Sequence, residues 1–481
     1  MNAPQEILRQ RFPAAVAVVV FLITAAIGIR LSQVHSDDFH AFYCGGAAVS
    51  VGADPYRVEP LRTCEHNSGN IHSLPLGEGT VLPVALPGYD LALTALLARL
   101  PYGIALLLWQ LLLWSSVGAT ILCTWRLTNI PLAAVIAVFL FSDGFISSIL
   151  GQIAPMALAG IAFSAWAISR RRHVLAVLGA TVGLCEPHIG IASVVALIAF
   201  SPSVRWGVLA CVSFLGYLTI ATIGPMRTLE YVHDVLPAHA ASEIAHRGQY
   251  SLTNLLHVMG APDNAALFLG ELSYAAFVIV GIIVAYRLRR SLQEDAFLIV
   301  IPAAFALLGG VFVHNTQMAT ALPAGLLLFA KHQRPTPLLG WGIILLAVPW
   351  SSAADLEPFQ LLAAMSIAVP SFYFLENATA AAQATILQGI ALVGSPYIFR
   401  AEHVFDAESV SQATFIWKHL AIPSDALSED AWRLYVSEVY SRNAILFTVF
   451  KIPTWFGAST IAAHALLRGG AFSGSPPRDA L

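Results

Sequence analysis

Two adjacent carboxylates, Asp37 and Asp38, stand a few residues past an apolar run at 12–31, inside the segment His35-Ser36-Asp37-Asp38-Phe39-His40-Ala41-Phe42-Tyr43-Cys44-Gly45-Gly46-Ala47-Ala48. Gly52-Ala53-Asp54-Pro55-Tyr56 then carries a turn signature. A carboxylate partly buried between helices at a membrane edge has its pKa raised, which suits it to take a proton from a hydroxyl. His40 and Tyr43 add polar groups close by, and the small residues from Cys44 to Ala48 allow close helix packing. The plainer alternative is that acidic residues mark the point where the chain leaves the bilayer, and composition alone favours it.

Further polar residues sit in or beside apolar runs: Gln152, Glu186, His188 and the string His314-Asn315-Thr316-Gln317. Polar groups inside a membrane are costly, which marks them for function, although the wet end of a span needs no other explanation. Asp90 and Asp143 also lie in apolar stretches, where a structural role is the simpler one. The chain has no GxxxxGK phosphate loop and no GxGxxG fingerprint. It has no GxSxG elbow or Cys/His nucleophile pattern, and no His, Cys and carboxylate cluster at metal-ligand spacing. Neither a cofactor nor a metal is expected on these grounds.

The elements that must hold these residues are apolar. Of 481 residues, 57% are hydrophobic and 11% charged, and the mean hydropathy is +0.72. Soluble domains carry about 25% charged residues. This excludes a soluble enzyme, a disordered chain and a nucleic-acid binder. It also excludes an outer-membrane barrel, whose strands alternate at period two.

The expectation is an all-α polytopic membrane protein, a single membrane domain over 1–481. After the first run, apolar stretches fall near 103–125, 131–149, 153–169, 173–200, 206–223, 267–286, 296–313, 316–330, 337–350, 358–375, 380–399 and 443–467. At roughly 20 residues per span, they amount to about 12 to 14 spans. That count takes 173–200 as a hairpin broken at Glu186-Pro187-His188, and lets 82–98 only dip into the membrane.

One parity then puts Arg126, Arg170-Arg171-Arg172, Arg205, Arg287 to Arg290, Lys331 with Arg334, and Arg468 on the cytoplasmic side. The N-terminus is cytoplasmic, and loops 32–81, 224–266 and 400–442 are extracytoplasmic. Residues 469–481 form a flexible cytoplasmic tail. Localisation is therefore the plasma (inner) membrane, multi-pass, with any loop-built site facing outward. Trp432, Tyr435, Val436, Val439 and Tyr440 make a helical stripe, to lie on the membrane surface or pack on another loop. Cys44 and Cys64 share the first outer loop, as a disulfide or as two thiols.

The order Asp-Phe-His, aromatic, Tyr, small residues, then Gly-x-Asp-Pro-Tyr directly after the first span resembles the first loop of glycosyltransferase family 87. That family comprises polyprenyl-phosphate-dependent, mannosyltransferase-like enzymes of the GT-C superfamily. Leu150-Gly151-Gln152 opening a span that ends in an Arg cluster is similar too, as is the small-residue helix from Gly179 to Gly183 and the turn Cys185-Glu186-Pro187-His188. The likeness runs over residues 12–200. Two places depart from the family: Glu186-Pro187 stands where it commonly has Lys-Pro, and Pro83-Val84-Ala85-Leu86-Pro87 shortens a Tyr/Pro-rich segment.

The resemblance implies a GT-C-like helical bundle and transfer of a mannose-like sugar from a polyprenyl-phosphate donor to an extracytoplasmic glycan or glycolipid of the cell envelope. Asp38 aligns with the family's catalytic aspartate, with Asp37 as fallback. His40, Tyr43, Gln152, Glu186, His188, Arg247 and His314 are the substrate-binding candidates. For the departing phosphate, the outer-loop candidates are Arg57, Arg62, Arg227, Arg247, His246 and His257, foremost Arg247 in His246-Arg247-Gly248-Gln249-Tyr250-Ser251. The partners implied are donor, acceptor and membrane lipid, with no nucleic acid.

Two rivals stand beside this. One is a transporter or flippase of lipid-linked or small substrates, which predicts repeats and polar groups near the midplane. The other is a non-catalytic assembly subunit. The polar residues here gather at one end of the spans.

Overall fold

A computed structural model describes residues 3–68, 81–331, 337–348, 350, 377, 379–387, 422–439 and 444–470. The expected spans at 358–375 and 380–399, most of the third loop, Tyr440 and the tail 471–481 lie wholly or largely outside these residues. Among the described residues the chain is helical, and its only bridges are the isolated pairs Arg57–Leu427 and Gln249–His314.

The first apolar run is α1 (Ala3–His35). The carboxylates open α2 (Asp37–Ser50), which is followed by α3 (Val58–Ser68). Cys44 and Cys64 are joined by a disulfide that ties α2 to α3. Next come α4 (Gly88–Leu97) and α5 (Tyr102–Thr128). Helix α6 (Leu132–Phe139) runs through a wide π turn at Leu140–Ile146 into α7 (Ser147–Leu150). The hairpin expected within 173–200 is present: α9 (His173–Val182) follows α8 (Ala154–Ser169), and the chain breaks at Glu186 before α10 (Pro187–Phe200).

The second half begins with α11 (Arg205–Ile223), α12 (Pro225–Glu230) and α13 (Leu236–Ser242), with a π turn at Tyr231–Val235 between the last two. It continues with α14 (Leu252–Val258), α15 (Asp263–Leu292) and α16 (Phe297–Ala306). A tight helical turn at Asn315–Ala321 leads into α17 (Leu322–Ala330), then α18 (Pro337–Ala347), α19 (Ser428–Val439) and α20 (Ala444–Gly470).

The expected span count does not carry over to the described residues. Four stretches are long and apolar enough to cross a bilayer: Phe12–Gln33, Tyr102–Thr128, Arg205–Ile223 and Asp263–Leu292, with a fifth if the pair bent by 47° at residues 139–143 is one span. Six other apolar stretches are helices of 10–17 residues, whereas the last expected run is α20, a continuous helix of 27 residues. Proline and glycine at the cuts remove hydrogen bonds and turn the chain, so an apolar run in sequence need not be one straight helix.

Two large buried regions and a small one around Ala25, Trp114 and Leu140 follow among the described residues. The larger runs through α6, α8, α16, α17 and α18 and is almost wholly aliphatic. The second joins Phe39, Tyr56, Leu61, Val84, Trp109 and Tyr435, drawn from α2, α3, the 81–87 segment, α5 and α19. Hence α19 packs its apolar stripe against protein, with Trp432, Tyr435 and Val436 buried. Its start is pinned by Ser428 N–H donating to Tyr56 O at 2.9 Å and Val58 N–H donating to Ala426 O at 3.0 Å.

Two glycines make the approach of α2 possible. A Cβ on Gly46 would lie 2.4 Å from the Thr94 carbonyl carbon, so α2 and α4 touch backbone to backbone there. Gly151 sits at φ +80 and would place a Cβ 2.6 Å from the Phe39 side chain. Only glycine takes both that conformation and that contact without strain.

Candidate active site

The ends of these elements surround one cavity of about 800 Å³. Helix α2 contributes Asp37 and Asp38, and the turn after α7 contributes Gln152. The α9–α10 break brings in Glu186 and His188, α13 and the turn after it His239, Glu243, His246 and Arg247, and the 312–317 loop His314 and Gln317. Trp432 reaches in from α19.

Asp38 is half-buried and accepts a hydrogen bond from the Gln152 side chain. Burial pushes its carboxyl up to about 8, and the charge of Asp37 beside it adds to the rise, against the lowering effect of Gln152. It therefore binds its proton in the range where a general base works best. Glu186 Oε2 accepts from Gln317 Nε2 at 3.2 Å and lies 3.5 Å from His188 Nδ1. His188 and His239 flank the Phe312 ring, each with ring centroids 5.0 Å apart. Their Nε2 and Nδ1 atoms, respectively, are covered and have no hydrogen-bond partner among the described residues.

Two groups missed in the sequence occupy the centre. Glu243 takes a hydrogen bond from Trp432 Nε1 at 2.5 Å on Oε1, and one from Gln249 Nε2 at 3.2 Å on Oε2. Burial pushes the Glu243 carboxyl up, but His246, His314, His239 and the Trp432 indole outweigh it and hold it below the usual carboxylate range. For His239, burial pushes the imidazole down to about 4. Sequence spacing pointed to no metal-ligand cluster, yet Glu243, His246 and His314 offer ligand atoms all within 4.8 Å of one another. The local signal was Glu243-Ile244-Ala245-His246, a carboxylate and an imidazole three residues apart.

Of the residues named in advance, Asp37, Asp38, Gln152, Glu186, His188, Arg247 and His314 all line the cavity. His40 and Tyr43 do not. One turn apart, they face away from the cavity: His40 Nε2 lies 2.5 Å from Ser68 Oγ, and Tyr43 donates to Leu100 O at 2.9 Å. Both rings pack on Tyr102, with centroids 5.0 and 5.2 Å from it.

Most of the other cation candidates are spent on carboxylates and carbonyls outside the cavity. Arg57 pairs with Asp54 and Glu230, Arg62 with Glu59, Arg227 with Asp54, and His257 with Asp263. Asp90 and Asp143 are buried away from the cavity lining.

Residues 87–313 match the family model of glycosyltransferase family 87. Over those residues, just under half of its length, the chain is similar to that family. It is a membrane glycosyltransferase. No curated protein and no solved structure matched the chain. The match takes in Gln152, Glu186, His188, Glu243, His246 and Arg247, whereas Asp37 and Asp38 precede it and His314 follows it.

Proposed function

We propose that this glycosyltransferase moves a mannose-like sugar from a polyprenyl-phosphate donor to a hydroxyl of an extracytoplasmic glycan or glycolipid, with inversion and with Asp38 as general base. The observation that carries this reading is the composition of one cavity. Asp38, held by Gln152, lines it together with Arg247, His188 and His239. The same wall includes Ile191 and Val232, which are 45% and 53% exposed on the apolar outer face, so it adjoins the surface a lipid would occupy.

The bond broken sets what the site must supply. A phosphate leaves as a stable anion, so no general acid is needed, in contrast to the paired carboxylates of glycoside hydrolysis. Asp38 takes the acceptor's proton as its oxygen attacks the anomeric carbon from the side opposite the phosphate. Arg247, His188 and His239 hold the departing phosphate by charge and hydrogen bonding. With Glu186 at the position where the family commonly has lysine, that duty falls on these groups.

The test uses sealed right-side-out membrane vesicles with the acceptor supplied outside. Asp38→Asn should lower kcat by about 10² to 10⁴-fold, the usual contribution of a general base, with the donor KM little changed. Transfer at the wild-type rate by this variant would overturn the assignment.

A further inference from the structure

We propose that Glu243, His246 and His314 form a site for a divalent cation of the Zn²⁺ class, with one coordination position open to the cavity. The proposal rests on the geometry of these three side chains and is independent of which sugar, if any, is transferred there.

The donors come from two distant segments, the turn after α13 and the loop before Asn315–Ala321. The Gln249–His314 bridge locks them together, through Tyr250 N–H to Val313 O at 2.6 Å and Asn315 N–H to Gly248 O at 2.9 Å. Glu243 Oε2 lies 3.6 Å from His246 Nδ1 and 3.8 Å from His314 Nε2. Tetrahedral zinc with bonds of about 2.1 Å places its ligand atoms roughly 3.4 Å apart. Closure of Glu243 toward each histidine by a few tenths of an ångström therefore reaches that spacing, and the two histidine nitrogens lie within 4.8 Å of each other.

The chemistry of the set selects the ion. Two imidazoles and one carboxylate are the three protein ligands of an open zinc site, whose fourth position is left to water or substrate. Magnesium and calcium prefer all-oxygen shells. Glu243 is 4% exposed, and its other oxygen is already fixed by the Trp432 indole, the kind of outer contact that orients a metal-binding carboxylate.

The amide of Gln249 marks the place. Its Nε2 lies 3.2 Å from Glu243 Oε2 and 3.1 Å from His314 Nε2, so a bridging donor sits where a cation bound to both would sit. Gly248 N–H also donates to His246 Nδ1 at 3.1 Å, a bond the imidazole exchanges on binding unless it presents Nε2. The competing account is a closed hydrogen-bond network that binds nothing.

The experiment strips the detergent-purified full-length protein with chelator, dialyses it against Zn²⁺ and measures bound metal. A parallel sample takes Co²⁺, whose visible absorption reports tetrahedral coordination. About one equivalent per chain is expected for a single site, with loss to background in the double variant Glu243→Gln/His314→Gln. Gln249→Ala removes the bridging amide and should keep the full metal content. Wild-type metal no higher than the double variant's overturns the proposal. Should the double variant fail to fold, a wild-type Co²⁺ sample without visible absorption overturns it equally.

Discussion

At the scale of single residues, the proposed chemistry turns on where Asp38 titrates. Burial and the neighbouring Asp37 raise its carboxyl to about 8. Only the ionised form accepts a proton. The protonated form dominates below that value, so kcat/KM should climb about tenfold per pH unit on the acid side and level off above about 8. Asp37→Asn removes a charge that raises Asp38, so the limb should move to lower pH. A pH–rate profile of both proteins checks this, and an unmoved limb in the variant would detach it from Asp38. Asp38 was legible because it lies in an ordered motif next to the first span. Glu243 was not, because its neighbours in sequence, Ser242 and Ile244, say nothing of the Trp432 and His314 that surround it.

At the scale of elements, α2 is the part that aims the proposed base. It is braced by the disulfide to α3, by Gly46 against α4, and by Phe39 stacked on Trp109 of α5 with centroids 5.3 Å apart. Any side chain at Gly46 meets the Thr94 carbonyl and Ala95 nitrogen, at 2.5 and 2.6 Å from the Cβ alone. Backbone cannot swing aside as a flexible side chain can. Gly46→Val should therefore cost about 1–3 kcal/mol through overpacking. Gly103→Ala, where a Cβ meets nothing within 4 Å, should leave the protein as stable as wild type. Thermal unfolding in detergent compares the two, and equal transition temperatures would show that the α2–α4 contact is slack. The small-residue run was readable as a close-packing segment. That α4 was its partner followed only from the way the 81–87 segment returns the chain.

At the scale of the whole molecule, apolar surface and cavity meet. α11 and α15 bury only 17% of their most apolar stretches, as helices bathed in lipid do. The cavity wall comes to the surface at Val232. If a long donor chain lies across that edge, Val232→Trp should reduce kcat/KM for a long-chain polyprenyl-phosphate sugar by about tenfold or more, while a short-chain analogue is spared, because only the remote part of the substrate loses its contact. Equal losses for both donors would place the lipid elsewhere.

Residence in a membrane, a helical body and the candidacy of the first-loop aspartate follow from composition and local order, since hydrophobic burial and short motifs are properties of neighbouring residues. The pairing of α2 with α4, the turning of His40 and Tyr43 away from the cavity, and the meeting of Glu243 and His246 with His314 came with the tertiary structure. Gln249 and His314 are 65 residues apart in the chain yet share one bridge. Contacts at such separation are selected by how all the helices pack at once, and no local pattern encodes them.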